Sequence, residues 1–223
     1  AWVMRSDGSI WGSGYNGFGQ LGTGDTAVKT SFTQEISGIN NAVDIYRTSG
    51  WYGASFVKLA DGNLRFAGYN GYAFSGMDSV TNSNTYIAVV GDINGTKGFT
   101  FEGQVRKVAS TGMDSLQSFM VLDNSGRLYS TGYNAYGQRG DGTLVSGNAA
   151  NTNGFAREWK EVGLPHGAAK IVDVYGYGWA GTAGFVAIDE TGAIYGWGYN
   201  NQGELGFEDA LTCLLYTSDA ADD

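Results

Sequence analysis

One tripeptide, Gly-Tyr-Asn, recurs along the chain, and its regular placement limits the possible folds more than any other feature. The four copies begin at Gly14, Gly68, Gly132 and Gly198, at intervals of 54, 64 and 66 residues. In every copy another glycine lies six residues earlier, with a short apolar segment on each side of it. Self-similarity at a nearly constant spacing is typical of repeat architectures. The sequence therefore predicts four copies of one structural unit.

The first copy also fits a dinucleotide-binding pattern, because Gly12, Gly14 and Gly17 match G-x-G-x-x-G. Such a loop binds phosphate only where a strand precedes it and a helix follows it. The segment 17–26 contains four glycines, and each glycine costs a helix about 1 kcal/mol relative to alanine. A cofactor loop is also needed only once, whereas this segment belongs to a repeated unit. We therefore expect neither a dinucleotide nor any other cofactor.

Each unit is predicted to contain four short strands. Its central hairpin joins two apolar runs around Asp7-Gly8 in the first unit and around Asp61-Gly62 in the second. Asp-Gly favours a type I′ turn, and the third and fourth units, with "DNSG" and "DETG", are expected to lengthen that turn by one residue. Further β-rich runs lie before the later hairpins and between the units. Four strands in about 50–65 residues predict an all-β protein whose small sheets are arranged around an axis.

Composition narrows the range of partners. The 223 residues include 37 glycines, one proline and 14% aromatic residues, which indicates a folded chain with many tight turns. No apolar run reaches the roughly 18 residues of a membrane-spanning helix, so we expect no membrane insertion. The formal net charge is −9, and the chain has no block of lysine or arginine. We therefore expect no nucleic-acid partner.

Three segments resemble the repeat of the regulator of chromosome condensation family: "DGSIWGSGYNGFGQLGTGD" from Asp7, "SGRLYSTGYNAYGQRGDGT" from Ser125 and "TGAIYGWGYNNQGELG" from Thr191. Together with the second unit, the resemblance covers residues 1–206. Members of this family form β-propellers, usually of seven blades. The resemblance therefore implies an open arc of about four four-stranded antiparallel blades, as part of such a ring.

The chain departs from the family pattern in two respects. The second unit has Ala73 and Phe74 where the family has Gly-Gln, and the segments before the hairpins lack the histidine of a common Gly-x-x-His stretch. This tyrosine-rich and asparagine-rich form is similar to repeats of bacterial and bacteriophage tail or surface proteins. The resemblance thus implies a location on a virion or a cell surface, and the adaptor-like C-terminal segment described below predicts that the sequence is a metagenomic fragment.

The repeated residues are predicted to be structural. The motif glycines are expected to adopt a positive φ or to allow close strand approach: Gly14, Gly68, Gly132 and Gly198. The motif asparagines are expected to bond to backbone groups of the following turn: Asn16, Asn70, Asn134 and Asn200. Three further side chains are expected to bridge neighbouring blades: Gln20, Gln138 and Glu204. Turn formation rather than acid catalysis explains the hairpin acids: Asp7, Asp61, Asp123 and Asp189.

No residue is predicted to be catalytic or to bind a metal. The single histidine, His166, lies in a turn and has no counterpart in the other units. The polar segment 141–154 matches neither an EF-hand loop nor a calcium-binding nonapeptide. We therefore expect that the protein is not an enzyme.

Binding residues are predicted in the loops that precede the hairpins, because these loops differ between units while the glycine positions do not. The candidates are their aromatic and other large side chains: Trp51, Tyr52, Met113, Asp114 and Trp179. Aromatic side chains on the loops of a rigid scaffold bind protein or sugar partners. The same side chains can instead pack between blades, and the sequence leaves both interpretations open.

The favoured function is that of a non-enzymatic scaffold for a protein or a surface glycan, in a phage tail, a virion or a bacterial surface protein. A second hypothesis is nucleotide exchange on a small GTPase, the activity for which the founding member of the family is known. The acidic charge and the missing histidine argue against that activity. A third hypothesis is an accessory propeller of a larger enzyme, because a fold by itself does not determine function.

The C-terminal residues interrupt the repeat. Residues 207–223 do not continue its pattern, and "CLLYTSDAADD" at 213–223 resembles a translated sequencing adaptor. We therefore expect a truncated propeller with a non-native tail, in which the single Cys213 carries no information on the redox environment. An arc with uncovered blade faces is expected to self-associate, because uncapped repeats and exposed edge strands pair with other chains.

Overall fold

The computed structural model describes residues 1–48, 52–77, 81–93, 96–101, 104–113, 116–144, 155–179, 182–206 and 216–217. These residues form strands joined by turns and irregular segments and contain no α-helix, which confirms the all-β prediction. The strands form four sheets in chain order, which we call blades 1 to 4. No helix in the described part of the chain is long and apolar enough to cross a membrane.

Within each blade, strands that follow one another in sequence pair antiparallel. Blade 1 consists of β1 (Trp2–Met4), β2 (Ile10–Gly14) and β3 (Lys29–Gln34). Blade 2 consists of β4 (Ala42–Arg47), β5 (Ala54–Leu59), β6 (Leu64–Gly68) and β7 (Ser83–Ala88). After β8 (Val90–Ile93) and β9 (Thr96–Thr100), blade 3 consists of β10 (Val105–Thr111), β11 (Ser118–Asp123), β12 (Leu128–Tyr133) and β13 (Phe155–Glu161). Blade 4 consists of β14 (Ile171–Trp179), β15 (Thr182–Asp189), β16 (Ile194–Gly198) and β17 (Tyr216–Thr217).

Blades 1 and 3 differ from the predicted four-stranded unit, because blade 1 has three strands in the described residues and the sheet of blade 3 has six. The β8–β9 hairpin lies between the second and third units, and β8 adds in parallel to β13 at the pair Trp159–Ile93, so that this sheet has six strands. The short β17 pairs antiparallel with β16, which places residues 216–217 at the outer edge of blade 4. The remainder of 207–223 lies outside the described residues, and the prediction of a non-native tail at 213–223 stays a prediction.

The hairpin turns differ from the predicted type I′ geometry. In blade 2 the Gly62 N–H donates to the Leu59 carbonyl (2.9 Å), the Leu59 N–H donates to the Asn63 carbonyl (2.9 Å), and Gly62 has φ +78°. A type I′ turn needs a positive φ at both central residues, but Ala73 is the one non-glycine residue with positive φ in the described part of the chain. The turn is therefore a three-residue loop that ends on a left-handed glycine, and the type I′ prediction is wrong.

The predicted lengthening of this turn in the later units is also wrong. In blade 3 the Gly126 N–H donates to the Asp123 carbonyl (3.1 Å) and the Asp123 N–H to the Arg127 carbonyl (2.9 Å), which is the bonding pattern of blade 2. The loop has the same length in both blades, but its aspartate occupies a different position. Asp61 lies directly before the glycine, whereas Asp123 is the first residue of the turn, so that counting from the aspartate suggested an insertion.

The hydrophobic core lies between the blades, because successive residues of a strand point to opposite faces of its sheet. Each inter-blade layer contains side chains from the central strands of two blades. Blades 1 and 2 bury Ile10, Val57, Leu59 and Ala67; blades 2 and 3 bury Phe56, Phe66, Phe119 and Trp159; blades 3 and 4 bury Met120, Leu128, Phe185 and Trp197. This stacking of successive sheets confirms the predicted open arc of propeller blades.

Blades 2, 3 and 4 each donate a side-chain hydrogen bond to the motif turn of the preceding blade. Trp159 Nε1 donates to the Ser75 carbonyl (3.2 Å), and Trp197 Nε1 donates to the Gln138 carbonyl (3.0 Å). In blade 2 the corresponding donor is Ser55 Oγ, which bonds to the carbonyl of Gln20 (2.9 Å). These bonds satisfy buried polar groups and fix the position of each turn against the next blade.

Candidate binding site on the loop face

The turn that follows each Gly-Tyr-Asn motif is organised by the asparagine side chain. Asn16 is fully buried, and its Oδ1 accepts a hydrogen bond from the Leu21 N–H (2.9 Å). Its Nδ2 donates to Thr23 Oγ1 (3.0 Å) and to the Asp25 carbonyl (2.9 Å). The same Oδ1 bond of 2.9 Å recurs in the other three units, from Ser75 to Asn70, from Arg139 to Asn134 and from Leu205 to Asn200. One amide side chain thus satisfies several backbone and side-chain groups that the turn leaves unpaired.

Two positions of the repeat vary in size together. The first is the turn residue whose N–H bonds to the motif asparagine. The second is the strand residue two positions before the motif glycine. Where the strand residue is a glycine the turn residue is leucine, as in Gly12 with Leu21 and Gly196 with Leu205. Where the strand residue is Phe66, the turn residue is Ser75. In blade 1 the two positions are in contact, since a Cβ added to Gly12 would lie 2.8 Å from Leu21 Cδ2. A large residue at one position therefore accompanies a small one at the other.

The motif glycines combine a positive φ with close backbone contacts. Their φ values are +104°, +110°, +98° and +108° for Gly14, Gly68, Gly132 and Gly198. A Cβ on Gly68 would lie 2.5 Å from the Gly53 carbonyl oxygen and 2.8 Å from Ala54 Cα. A Cβ on Gly132 would lie 2.5 Å from the carbonyl oxygen of Gln117. Both features exclude a side chain at these positions.

The predicted bridging residues act partly through their backbone. The carbonyls of Gln20 and Gln138 accept the bonds from the next blade, while their side-chain Oε1 atoms accept N–H groups of their own turns, from Phe18 (3.1 Å) and Tyr136 (2.9 Å). The Gln20 side chain additionally lies against Gly53 of blade 2. Glu204 accepts the N–H of Gln202 (2.9 Å) in the same way.

The hairpin aspartates accept local hydrogen bonds within their own turns. In blade 4, Asp189 Oδ1 accepts the hydroxyl of Thr191 (2.6 Å) and the N–H groups of Thr191 (2.9 Å) and Ala193 (3.0 Å), and Oδ2 accepts the Tyr195 hydroxyl (2.9 Å). These bonds, with that of the Thr191 hydroxyl as the largest contribution, lower the pKa of Asp189 to about 2. A carboxyl group with this pKa cannot act as a general acid near neutral pH.

The motif turns and the pre-hairpin loops lie on one face of the arc, which we call the loop face. In blade 2 the Tyr69 N–H donates to the Gly53 carbonyl (2.9 Å), and in blade 3 the Tyr133 N–H donates to the Gln117 carbonyl (2.9 Å). These bonds join the start of each motif turn to the loop that precedes the hairpin. The loop face therefore brings together the constant and the variable parts of the repeat.

Five aromatic rings on the loop face form what we call the aromatic ridge: Tyr15, Phe18, Tyr52, Tyr69 and Tyr72. Ring centroids are 4.6 Å apart for Tyr52 and Tyr69, 5.0 Å for Phe18 and Tyr69, and 5.2 Å for Tyr69 and Tyr72. Tyr15 is 48% exposed, and the other four rings are half-buried. Burial, together with the nearby hydroxyls of Tyr72 and Tyr52, raises the pKa of Tyr69, so that its hydroxyl is neutral at physiological pH.

A second group of loop-face residues surrounds a small cleft between the inner strands. The cleft has a volume of about 130 Å³ and is lined by Thr48, Ser110, Thr111, Gln117, Tyr177 and three glycines. Met113 and Trp179 each directly follow one of these glycines, and Trp179 Nε1 donates to Met113 Sδ (2.9 Å). Trp179 is 67% exposed, the highest value among the large exposed hydrophobic side chains of the described residues.

The structure brings three of the five predicted binding residues to these two places. Tyr52 belongs to the aromatic ridge, where it contacts rings of blades 1 and 2, and Met113 and Trp179 stand beside the cleft. Trp51 and Asp114 lie outside the described residues. Whether these loop residues bind a partner stays a prediction, and the contacts of Tyr52 show that this ring also packs between blades.

The other four residues of the ridge are not among the predicted binding residues. Tyr15 and Tyr69 are the tyrosines of the motif itself, and their recurrence was the available signal. His166 is exposed in a turn. Within the described residues, no group of three or more histidine, cysteine, aspartate or glutamate side chains could hold a metal ion.

Solved structures that share this fold are β-propellers of the regulator of chromosome condensation type. The chain aligns with human WBSCR16 at a TM-score of 0.64 and 19% identity, over 97% of this chain and 50% of that one. It aligns with yeast RCC1 (Prp20), in a crystal structure with bound Kap60, at a TM-score of 0.66 and 17% identity, over 99% and 47% of the two chains.

A structure of Prp20p from Saccharomyces cerevisiae, described together with its binding to Gsp1p and histones, gives a TM-score of 0.64 and 16% identity, over 97% of this chain and 47% of that one. The chain therefore spans about half the length of the structures it matches. No protein-family profile matches the sequence. The similarity to these structures establishes the fold. Kap60, Gsp1p and histones are partners of the matched proteins.

Proposed function

We propose that the protein is a non-enzymatic interaction scaffold that binds a protein partner through the aromatic ridge of the loop face. The observation that carries this proposal is the ridge itself, in which five partly exposed rings form one continuous surface. Tyrosine and other aromatic rings supply large contact areas at little conformational cost, and they dominate the energetics of protein interfaces. Binding of protein partners by propellers of the same fold, to Kap60 in one case and to Gsp1p and histones in another, supports the class of function.

The scaffold beneath the ridge favours this role because it is rigid. The Asn16 and Asn70 turns hold two of the ridge tyrosines in place, and Tyr69 is additionally bonded to the Gly53 carbonyl. A surface that is ordered before binding loses little entropy on association. The low pKa of Asp189 and the turn bonds of the other hairpin aspartates support a structural rather than a catalytic use of these acids.

A displayed random-peptide library, selected on the whole protein, tests the proposal. We expect enriched peptides to lose at least tenfold in affinity with Tyr72→Ala, because truncating an interface anchor costs about 2 kcal/mol or more. Tyr175→Ala is the matched control, since Tyr175 is a half-exposed tyrosine of blade 4 outside the ridge. Peptides that bind wild type and Tyr72→Ala equally well would place the interface elsewhere.

Nucleotide exchange on a small GTPase is the alternative function, and the likeness to Prp20p, which binds Gsp1p, favours it. The test is the release of a fluorescent guanine nucleotide from Gsp1p in the presence of this protein. We expect no acceleration over the spontaneous rate, and a saturable acceleration would replace our proposal. An origin in a phage tail, a virion or a bacterial surface protein, and a link to an enzyme domain, stay predictions from the sequence.

We further propose that the outer faces of blades 1 and 4 associate with further copies of the chain. Equivalent positions of different blades can be compared for their exposure. Val3 is 44% exposed, whereas Val57 and Val121 at the same position of blades 2 and 3 are fully buried by the preceding blade. Likewise, Ile194 of blade 4 is 38% exposed, whereas its counterpart Leu128 in blade 3 is 1% exposed. Positions that a neighbouring blade covers elsewhere are thus open on these faces, and apolar surface of this kind favours association.

Light scattering after size-exclusion chromatography tests this association. We expect the mean mass of the wild type to rise with protein concentration, and we expect Val3→Lys to reduce that rise. Leu144→Lys is the control, because Leu144 is 56% exposed but follows the motif turn of blade 3 and belongs to neither outer blade. A concentration-independent monomer mass for the wild type would refute the proposal.

A further inference from the structure

The cleft beside Trp179 differs in chemistry from the aromatic ridge. Three of its lining side chains carry aliphatic hydroxyls, Thr48, Ser110 and Thr111, and Gln117 contributes an amide. The described residues that line it carry no charge. Its volume of about 130 Å³ is smaller than a pocket for a whole drug-sized ligand. It can therefore receive one small polar group of a larger ligand.

The two threonine hydroxyls of the cleft offer oxygen lone pairs rather than protons. Thr111 Oγ1 donates its proton to the Tyr177 carbonyl. Thr48 Oγ1 donates to the Tyr52 carbonyl (3.3 Å) while it accepts the Ala54 N–H (2.9 Å). A hydroxyl oxygen has two lone pairs in addition to its single proton. A ligand that matches these groups must therefore bring hydrogen-bond donors.

An aromatic wall stands beside these acceptors. Trp179 directly follows the lining residue Gly178, and two thirds of its surface is open to solvent. Its Nε1 is bonded to Met113 Sδ, which fixes the orientation of the indole. Thr182 Oγ1 donates to the Trp179 carbonyl (2.8 Å), which secures the backbone of the same residue. The tryptophan is thus an exposed ring held in place, as a stacking platform requires.

The cleft walls are built from backbone that must remain uncovered. Gly112 and Gly178 have φ values of +82° and +86°, and an added Cβ would collide with the Leu116 and Thr182 carbonyls respectively. Glycine at these positions lets a ligand approach the main chain closely. The parts of the cleft edge that Gly112 and Gly178 form are therefore set by the backbone.

We infer that this cleft binds a neutral carbohydrate, with one sugar ring on Trp179 and a hydroxyl or hydroxymethyl group of that sugar in the cleft. A sugar combines an apolar C–H face, which suits an indole, with several hydroxyl donors, which suit the acceptors of Thr48 and Thr111. An anionic sugar finds no cation among the described lining residues and meets a chain of net charge −9. The lysine side chain of a protein partner would have to bury its charge in the cleft. No carboxylate is among the described lining residues to pair with it, and burial of an unpaired charge is costly.

The inference extends beyond the proposed protein interface, because the ridge and the cleft are different surfaces. Tyr72→Ala removes a ring of the ridge without altering any residue that lines the cleft. Trp179→Ala removes the ring beside the cleft and alters no member of the ridge. Each site therefore has a variant that leaves the other intact, and failure of one proposal can be told from failure of the other.

Titration calorimetry with a panel of methyl glycosides tests the inference on the whole chain. We expect saturable millimolar binding of at least one neutral hexoside or N-acetylhexosaminide, and at least tenfold weaker binding of the corresponding glucuronide. Trp179→Ala should weaken that binding at least tenfold, Trp179→Phe should retain most of it, and Tyr72→Ala should leave it unchanged. Circular dichroism and the Tm of each variant check that the fold is intact.

Three results would overturn the inference. The first is the absence of saturable binding by every neutral glycoside in the panel. The second is tighter binding of methyl glucuronide or of lysine methyl ester than of the neutral sugars, which would assign the cleft to a charged ligand. The third is sugar binding that Trp179→Ala does not change, which would move the sugar to another part of the surface.

Discussion

Replacement of Gly68 by alanine tests the reasoning on the motif glycines most directly. Gly68 has φ +110°, and the new Cβ would lie 2.5 Å from the Gly53 carbonyl oxygen, 2.8 Å from Ala54 Cα and 3.0 Å from Gln20 Cβ. The positive φ costs a side chain about 1–2 kcal/mol. Overpacking against backbone atoms that cannot rotate away adds about 1–3 kcal/mol. We therefore expect Gly68→Ala to lower the free energy of unfolding by about 2–5 kcal/mol.

Two control glycines separate these contributions. Gly38 has φ +75° with nothing within 4 Å of an added Cβ, so Gly38→Ala should cost only the backbone strain of about 1–2 kcal/mol. Gly163 has no positive φ, and its nearest neighbour would be 3.9 Å away, so Gly163→Ala should be close to neutral. At about 2–4 °C per kcal/mol for a chain of this size, thermal melting followed by circular dichroism resolves the three variants. Equal losses for Gly68→Ala and Gly38→Ala would refute the close-approach argument.

Three further predictions concern the turns and the tail. Asn134→Ala should lower the free energy of unfolding by about 2–4 kcal/mol in urea denaturation, because it leaves the buried N–H of Arg139 and the Thr143 carbonyl without their partner. The pKa of Asp189 is lowered from 3.8 to about 2. The carboxylate therefore stabilises the fold above about pH 4, and this stabilisation is lost as the pH falls through 2. Asp189→Asn should lower the Tm at pH 7 and flatten the fall in Tm between pH 4 and pH 2. Deletion of 213–223 should leave the Tm unchanged, and a drop of several degrees would show that the pairing of β17 with β16 stabilises blade 4.

The repeat could be read from the sequence because its determinants are local. The spacing of the motif glycines and the alternation of apolar residues fix the central hairpins, and the Asn16 turn is closed by bonds within ten residues. The turn type was misjudged because Asp-Gly serves both a type I′ turn and a loop that ends on a left-handed glycine. Only the backbone of Gly62 and Leu59 distinguishes the two.

The candidate site was harder to predict because it depends on contacts between units. Tyr69 occurs in a structural motif, and nothing in its own sequence context shows that it meets Phe18 of the preceding blade. The cleft likewise requires Thr48, Thr111 and Tyr177 from three blades to converge on the inner strands. These residues converge because each blade is rotated relative to the next. The size of that rotation cannot be predicted from the sequence of a single repeat.

The matched sizes of Gly12 with Leu21 and of Phe66 with Ser75 have a consequence for how such repeats diverge. A single change from one arrangement toward the other either collides with its partner residue or leaves a void, and each outcome costs about 1–3 kcal/mol or more. The double exchange restores the combined volume, so the two positions are expected to show a large coupling energy in a double-mutant cycle. At these two positions the blades of one protein are therefore expected to diverge by paired substitutions. A blade transplanted from another propeller would bring both residues of its pair, so their sizes would remain matched.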